Sequence, residues 1–368
     1  MKLTPLYYKH LELGASMYTT GTGYALPSFY KSAVEETRAV RERVGMIDLS
    51  LMGRIDLKGR DTLPLIQKLI VNNAARLQDG QTLYTTMCNE QGLIVDDVVV
   101  MRFGAQHFRV ITSSKFRHPT REWIESHRGD LDVHLTDVSS GFGMIAVQGP
   151  RSRELLASLT DIDLSKLGFF RFASGKLQGM WCMLARLGFS GELGYECYFN
   201  TEDTVTAWET ITRAGAAFGI TPYGMDTLEL LRLEKGFIFY GYDVTERENP
   251  YECGLWPLIR YDCGDFLGRD ALLAVKERGP AKQLMGLEVS GSKPLAADQP
   301  VMLEGTTVGR VICGFQSPTL SRNLAYAYLD TPHFQPGLEV SVAVDGVSQR
   351  ATVVQMPFVD PEGRRLRA

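Results

Sequence analysis

The segment GLIVDDVVV, residues 92–100, places two aspartates within a run of six branched apolar residues. Such a run is typical of a buried β-strand, yet carboxylates are rarely buried alone because losing water is costly. Neighbouring strand residues point to opposite faces, so Asp96 and Asp97 occupy different environments. We expect one to be paired or solvated and the other to enter an interior or a pocket. The alternative is an edge strand, or the beginning of a strand, where both carboxylates meet water or backbone N–H groups.

The composition is that of an ordinary soluble globular protein, with 44% hydrophobic and 22% charged residues. A chain of 368 residues predicts two or three domains. The net charge of −4 gives no general attraction to nucleic acid or to an anionic membrane. No apolar run approaches the roughly 20 residues of a membrane span, and the N-terminus has no signal-peptide core. Six cysteines without a CxxC pair predict reduced, mostly buried thiols in a cytoplasmic protein.

Hydrophobic periodicity predicts the main elements. Helices are expected at residues 31–46, 60–71, 202–218 and 224–236, with a short helix opened by Gly149-Pro150. Strands are expected at residues 178–186 and 194–199, and a further pair within 93–113 joined at 104–106. After about residue 275 short alternating segments and the Asp345-Gly346 hairpin signal predict a small all-β domain. Residues 276–283, KERGPAKQ, are expected to form the charged linker into it.

A second unusual segment is RLGFSGELGYECYF, residues 186–199. Three glycines within seven residues permit close backbone approach, and Glu196 then lies within an apolar, tyrosine-rich strand. This pattern predicts a carboxylate that faces an aromatic-lined space, and a hairpin whose glutamate points outward is the alternative. The chain has no phosphate-binding loop, no GxSxG and no histidine pair at metal-ligand spacing. No nucleotide, acyl-enzyme or metal site is therefore predicted.

The resemblance to known proteins rests on six motifs that occur in order: NEQGLIVDD, GFSGELGYE, LRLEKG with YGYD, NPYECG, SPTLSRNLAYAYL and MPFV. Together they resemble the tetrahydrofolate-dependent aminomethyltransferase family, whose best-known member is the glycine-cleavage T-protein. The similarity runs from TPLY at residues 4–7 to MPFV at 356–359. Within the family, NPYECG, FLGRDAL and KERGPAKQLMG look closer to the dimethylsulfoniopropionate demethylase branch.

The resemblance implies an α+β fold of three domains in a cloverleaf-like arrangement around a central folate cleft, with a C-terminal all-β barrel-like domain. The first domain is expected to combine residues 1–50 and 140–240. The second combines residues 51–139 and 241–275, an antiparallel sheet with helices that carries Asp97. The C-terminal β domain is expected at residues 284–368.

The resemblance also assigns roles to the two unusual carboxylates. Asp97 is the second aspartate of N-x-x-G-x-x-x-D-D, which implies a catalytic, folate-binding carboxylate beside the reactive pterin nitrogen. Asp96 is then structural. Glu196 corresponds to the family's folate-binding glutamate, and a carboxylate can accept two hydrogen bonds from the amino-pyrimidine edge of a pterin.

Four aromatic residues complete the predicted site. Phe189 stands where the T-protein usually has a tyrosine in the turn G-[YF]-[ST]-G-E, and Tyr84 matches a pocket tyrosine of the demethylase branch. Both are expected to bind the folate. Tyr84, Tyr198 and Trp181 are expected to line the donor site, because aromatic faces attract onium groups.

The implied activity is methyl transfer from a small onium donor, such as dimethylsulfoniopropionate, to N5 of tetrahydrofolate as co-substrate, without a metal. Aminomethyl transfer or secondary-amine demethylation, yielding 5,10-methylene-tetrahydrofolate, is the alternative, and a non-catalytic folate-binding protein is a second one. Leu228 stands where the T-protein carries an arginine, and Tyr242 stands where asparagine is usual. These departures argue for a small-molecule donor and against a lipoyl carrier protein. No nucleic-acid or membrane partner is expected, and the oligomeric state is not predicted.

Overall fold

Two facing β-sheets and a closed barrel organise the chain in the computed structural model, which describes residues 1–291 and 293–368. The strands are β1 (Ser16–Thr19), β2 (Ala25–Phe29), β3 (Gly45–Asp48), β4 (Gly53–Lys58), β5 (Gln81–Cys88), β6 (Ile94–Gly104), β7 (His107–Thr112), β8 (His134–Asp137), β9 (Phe142–Gln148), β10 (Phe172–Leu177), β11 (Met180–Ala185), β12 (Gly194–Asn200), β13 (Thr221–Pro222), β14 (Lys282–Val289), β15 (Pro300–Leu303), β16 (Thr306–Gln316), β17 (Asn323–Asp330), β18 (Glu339–Val344) and β19 (Val347–Val354).

The α-helices contain between 4 and 12 residues. They are α1 (Tyr7–Glu12), α2 (Ala33–Glu42), α3 (Thr62–Leu69), α4 (Arg117–Ser126), α5 (Ser152–Ala157), α6 (Thr204–Gly215), α7 (Met225–Glu234), α8 (Arg269–Arg278) and α9 (Arg364–Arg367).

The two large sheets interleave along the chain. The six-stranded sheet has the order β10-β11-β12-β9-β3-β13, and the five-stranded sheet has the order β5-β6-β7-β4-β8. All pairings are antiparallel except that of β13 with β3. The chain thus starts the first sheet with β3, builds the whole second sheet, and returns to complete the first. Strands β14 to β19 close the C-terminal barrel, and β1 and β2 form a separate two-stranded sheet.

The space between the two large sheets is filled by what we call the inter-sheet core. Met101 and Ile111 from the five-stranded sheet pack in one cluster with Met144, Met183 and Tyr198 from the six-stranded sheet. Each sheet covers its outer face with its own helices, α5 and α6 on one side and α3 and α4 on the other. Both faces of each sheet are therefore covered, and a polar side chain on an inward face lies in the protein interior.

The barrel is joined to the sheets through a buried ion cluster around Arg41, which we call the Arg41 cluster. Its Nη1 donates to Glu192 Oε1 at 2.9 Å, and its Nη2 donates to Glu234 Oε2 at 2.9 Å. Glu234, on α7, also accepts from Ser317 Oγ at 2.6 Å and from the Thr319 backbone N–H at 3.0 Å, both in the barrel. Helix α2, helix α7 and the barrel thus share one set of buried charges.

The α+β class and the C-terminal all-β barrel are confirmed. The hairpin at Asp345-Gly346 connects β18 to β19, with both residues at positive φ. The strands at 94–112, 180–185 and 194–200 and the helices at 62–69, 204–215 and 225–234 agree with the periodicity to within a few residues. The predicted domain boundaries stay a prediction.

Two expected elements end differently in the structure. The helix predicted at 31–46 ends at Glu42, because Gly45–Asp48 pairs as strand β3 with β9. The linker predicted at 276–283 is also wrong at both ends, since α8 extends to Arg278 and β14 begins at Lys282. Local periodicity does not reveal a pairing partner one hundred residues away, so it could not predict where the first helix ends.

In the described part of the chain the six cysteines are free thiols, and four of them, Cys88, Cys182, Cys197 and Cys253, are buried. None of the helices in residues 1–291 and 293–368 combines the length and apolarity needed to cross a membrane.

Candidate functional site

On strand β6, Asp96 and Asp97 point to opposite faces of the five-stranded sheet. Strand β6 lies between β5 and β7, so the edge-strand alternative is wrong. Asp96 shares its face with Val98 and Val100, which pack against the helices of the five-stranded sheet. Asp97 shares the opposite face with Met101, which belongs to the inter-sheet core. The alternation of a strand therefore sends one carboxylate outward under the helices and the other inward between the sheets.

Asp96 is buried and held by hydroxyl and backbone donors. Its Oδ2 accepts from Thr112 Oγ1 and from Thr120 Oγ1 of α4, and its Oδ1 accepts from the Asp97 backbone N–H at 2.9 Å. Burial, followed by the charge of Asp97, raises the pKa of Asp96 well above its ordinary value. This placement agrees with a structural role in fixing the start of β6 against α4.

Replacing Asp96 by asparagine is expected to stabilise the fold increasingly as the pH rises. The pKa of Asp96 is higher in the folded than in the unfolded chain, so its contribution to stability is full below about pH 4 and is lost as the pH rises. Relative to the wild type, the variant should gain at least about 1 kcal/mol of unfolding free energy between pH 5 and pH 8. Urea unfolding at both pH values measures this gain. A relative stability that falls with pH would mean that the anion is the favoured form.

Asp97 accepts a hydrogen bond from a neighbouring strand. Tyr84 on β5 donates its hydroxyl to Asp97 Oδ2 at 2.7 Å, and both side chains are partly buried. Burial raises the pKa of Asp97, whereas the Tyr84 hydroxyl and the Tyr240 backbone amide favour its ionised form. Burial and Asp97 together raise the pKa of Tyr84, so Tyr84 remains a donor. Asp97 is thus a desolvated carboxylate able to accept a proton or to face a developing positive charge.

Glu196 enters the same interior from the opposite sheet. On β12, Glu196 and Tyr198 share the inward face, and Tyr198 donates its hydroxyl to Glu196 Oε2 at 2.9 Å. Glu196 is only 8% exposed, and burial raises its pKa to about 7. The alternative of an outward-pointing glutamate is therefore wrong. The two predicted carboxylates face one interior from two different sheets, which suits a ligand rich in N–H donors.

The glycine-rich turn before β12 fixes the position of Phe189. Gly188 and Gly194 both lie against the side chain of Gln148, where an added Cβ would come within 2.1 and 2.3 Å of its amide atoms. Gln148 Oε1 also accepts from Ser190 Oγ at 2.7 Å. A buried amide thus holds both ends of the turn, which explains its glycines and orients the aromatic ring between them.

Phe189 belongs to a set of four rings that we call the aromatic row. It stacks on Phe237 with ring centroids 5.6 Å apart, and Phe239 packs on Tyr242 at 4.7 Å. Tyr242 is 62% exposed and lies at the outer end of the row. Phe237 and Phe239 were not predicted as site residues, although the alternating aromatics in KGFIFYGYD were a signal that could have found them.

Trp181 lies apart from the other predicted site residues. It shares the inward face of β11 with Ala185, which pairs with Glu196, but it lies four residues away along the strand, or about 13 Å. Its ring is 37% exposed and packs on Phe142 at 5.8 Å. We therefore leave Trp181 out of the site.

Two polar residues of the interior, Arg54 and Tyr223, were not predicted as site residues. Arg54 on β4 is fully buried, with its guanidinium 5.6 Å from the centre of the Tyr198 ring. Tyr223 is 1% exposed, and burial, followed by the charge of Glu196, raises its pKa. In the sequence, the alternating segment GRIDLK is typical of a strand with one solvated face, so Arg54 gave no signal.

One departure from the resembled motif, Leu228, falls on a packing position, whereas another, Tyr242, is exposed. Leu228 belongs to the inter-sheet core. The nearby Arg232 is not available to a ligand, because it is buried and binds Glu229 and Asp243. This part of α7 therefore packs in the protein core.

Comparisons with known proteins extend over the whole fold. Residues 6–262 match the family model described as the GCVT N-terminal domain, and residues 282–360 match the glycine cleavage T-protein C-terminal barrel domain. The relatives named aminomethyltransferase include one from Halothermothrix orenii, 34% identical over 359 residues, which are 98% of this chain and 100% of that protein. Another, from Symbiobacterium thermophilum, is 37% identical over 372 residues, 99% of each chain. The crystal structure of glycine cleavage system aminomethyltransferase T from Bartonella henselae has the same fold, with a TM-score of 0.91 over 98% of both chains at 23% identity.

Proposed function

This chain belongs to the glycine cleavage T-protein family of aminomethyltransferases, and on that premise we propose that it transfers a one-carbon unit to tetrahydrofolate. We propose further that the unit is an aminomethyl carbon and that the product is 5,10-methylene-tetrahydrofolate. The observation that carries the proposal is the pair of carboxylates, Asp97 and Glu196, on the inward faces of the five-stranded and the six-stranded sheet. Relatives that share the full length of the chain are named for aminomethyl transfer, which supports this choice of carbon unit.

Asp97 has the properties that the transfer requires. Tetrahydrofolate supplies N5 and N10 as nucleophiles, and a methylene bridge between them requires the loss of one proton from each. Asp97, desolvated and oriented by the Tyr84 hydroxyl at 2.7 Å, is the candidate to accept a proton and to stabilise positive charge at the reacting nitrogen. With an aminomethyl thioether as donor, the carbon exchanges its bonds to sulfur and to the amine for bonds to N5 and N10. One proton leaves with each departing group, which gives a thiol and ammonia. Positioning of the reacting atoms supplies the rest of the acceleration.

Glu196 and Phe189 are the candidates to hold the pterin ring. An ionised Glu196 has acceptor sites for two N–H groups of the amino-pyrimidine edge. Its burial at 8% exposure strengthens such hydrogen bonds, because water does not compete for them. Phe189 offers a flat apolar face beside this interior.

Methyl transfer from an onium donor, the first expectation from the sequence, is kept as a second candidate because of the aromatic row. Lys115 Nζ lies 5.1 Å from the centre of the Tyr242 ring, so a cation packs on this surface already. A sulfonium or quaternary ammonium donor would meet the same attraction. The dimethylsulfoniopropionate branch itself gains no support from the relatives, whose names specify aminomethyl transfer.

The expectation against a lipoyl carrier protein is likewise not supported by the relatives. The structure of similar fold is an aminomethyltransferase of the glycine cleavage system. An aminomethylated lipoyl carrier therefore belongs among the donors to be tested.

The product separates the candidates. The protein is incubated with tetrahydrofolate and, in separate reactions, with ¹³C-labelled aminomethyl-lipoyl carrier, secondary amines and onium donors, and the folate is identified by mass spectrometry. Formation of 5,10-methylene-tetrahydrofolate supports the proposal, and 5-methyl-tetrahydrofolate from an onium donor would replace it by the second candidate. Folate binding without turnover of any donor would favour a non-catalytic folate-binding protein.

Replacing Glu196 by alanine is expected to weaken tetrahydrofolate binding by at least about tenfold, because a hydrogen bond to a charged acceptor contributes about 1.5–3 kcal/mol. Anaerobic isothermal titration calorimetry measures the dissociation constant. Glu202→Ala, on the exposed surface just after β12, is the matched control and should bind as the wild type does. An unchanged affinity in Glu196→Ala would remove Glu196 from the folate site.

A further inference from the structure

Arg54 is a buried cation without a counter-charge in contact. Its Nη1 donates to the backbone carbonyls of Ser139 at 3.0 Å and Met52 at 3.2 Å. Within residues 1–291 and 293–368, neither Nε nor Nη2 has a hydrogen-bond partner, although both are shielded from solvent. Burying an uncompensated charge is unfavourable, so a guanidinium in this position calls for a functional reason.

The arrangement around Arg54 points toward Glu196. The guanidinium lies 5.6 Å from the centre of the Tyr198 ring, and the Tyr198 hydroxyl donates to Glu196 Oε2 at 2.9 Å. Arg54 comes from β4 of the five-stranded sheet, whereas Tyr198 and Glu196 come from β12 of the six-stranded sheet. A positive charge, an aromatic ring and a carboxylate therefore follow one another across the inter-sheet core.

We infer that Arg54 is a positioning residue that acts through Tyr198 to keep Glu196 an acceptor for the N–H groups of the pterin. This inference rests on the proposed folate site. When a carboxylate is protonated, one of its oxygens carries an O–H group, which is a hydrogen-bond donor. That donor would then face the N–H groups of the pterin, which are also donors. The positive charge of Arg54 beside the Tyr198 ring disfavours protonation of Glu196. It also makes the Tyr198 hydroxyl a stronger hydrogen-bond donor.

The charged and titratable groups near Glu196 come from several elements. Burial raises the pKa of Glu196 to about 7, and the Tyr198 hydroxyl and the charge of Arg54 oppose this rise. Burial and the charge of Glu196 raise the pKa of Tyr223, which lies in the segment between β13 and α7. They also raise the pKa of Cys197, which lies on the same strand as Glu196. Burial raises the pKa of Tyr198, and a further cation, Arg109 of β7, opposes this rise. Burial lowers the pKa of Arg54 only to about 10, so it stays charged at neutral pH.

The test is the pH dependence of tetrahydrofolate binding between pH 6 and pH 9. In Arg54→Met the midpoint of the binding profile should rise by one to two pH units, the effect of a unit charge several ångströms away at an effective dielectric constant of about 20. Affinity should therefore fall about tenfold at pH 7 and approach that of the wild type at pH 9. Arg54→Lys, which keeps the charge, should retain the wild-type midpoint. Arg54→Gln is neutral but can still bond the carbonyls, so it replaces Arg54→Met if the latter does not fold.

Three outcomes would overturn the inference: a loss of affinity that is equal at all pH values, an unchanged midpoint in the neutral variants, or a shifted midpoint in Arg54→Lys. In the Glu196→Gln background, Arg54→Met should not move the profile further, and an additional shift would also contradict the inference. The proposed function fails separately, because it requires that the wild type bind tetrahydrofolate and that Glu196→Gln weaken this binding. If both hold and Arg54→Met has no pH-dependent effect, only the role of Arg54 is lost.

Discussion

Replacing Asp97 by asparagine is expected to reduce one-carbon transfer by at least about 100-fold, and by up to about 10,000-fold, while tetrahydrofolate still binds. Asparagine has the size of aspartate and keeps an oxygen that can accept from the Tyr84 hydroxyl, now at 2.7 Å from Asp97 Oδ2. It carries no negative charge and takes no proton, so it removes the property that the proposed chemistry needs. The loss should appear in kcat far more than in the binding constant of the folate.

The neighbouring residue provides the matched control. Asp96→Asn makes the same chemical change one position earlier on β6, but its side chain lies under α4 and contacts Thr112 and Thr120. Its turnover should remain within about threefold of the wild type, since the side chain of residue 96 lies on the helix-covered face of β6 and away from the inter-sheet core. Product formation is followed by mass spectrometry of the folate under single-turnover conditions. Turnover by Asp97→Asn near the wild-type rate would remove Asp97 from the mechanism, whatever the donor.

The second large effect concerns stability and the Arg41 cluster. Replacing Arg41 by methionine is expected to lower the free energy of unfolding by about 3–5 kcal/mol, the usual loss when one partner of a buried ion pair is removed. Glu234 would remain buried, at 0% exposure, without its ion partner, whereas Glu192, at 2% exposure, would keep Arg365 at 3.2 Å. Glu234 also accepts from Ser317 and Thr319, so the barrel should loosen from α7 in the same variant.

Urea unfolding followed by circular dichroism measures the loss, and the barrel provides the control. Arg322 donates to Glu288 at 2.9 Å, the same distance as Arg41 to Glu192, but both partners are exposed. Arg322→Met should therefore change stability by no more than about 0.5 kcal/mol. If the two arginine variants lost the same stability, burial of the Arg41 cluster would not be the cause.

Much of the fold was predictable because its signals are local. The Asp345-Gly346 hairpin was identified from two residues that both adopt positive φ, a conformation that these residue types tolerate. The helix at Thr62–Leu69 follows from apolar residues at spacings of three and four. The helix predicted to run through 46 was not correct, because pairing of Gly45–Asp48 with β9, one hundred residues later, determines where the helix ends.

The candidate site was predictable in part. Motif order assigned Asp97 and Glu196, and both face the inter-sheet core, with their roles still to be measured. Trp181 shared the right strand face but lies too far along β11, which alternation alone cannot reveal. Arg54 was missed because a polar residue on an alternating strand has the same pattern whether its face meets solvent or a second sheet.

Asp96 and Asp97 are adjacent in the sequence, so they point to opposite sides of one strand in any fold, since side chains alternate along an extended backbone. What lies on each side depends on how the strands and helices pack together. The position of β6 between two neighbours, with helices above one face and a second sheet below the other, places one aspartate on threonines and the other beside Tyr84 on the inward face. That outcome depends on pairings between distant segments, and the free energy of those contacts is not encoded in any short stretch of the chain.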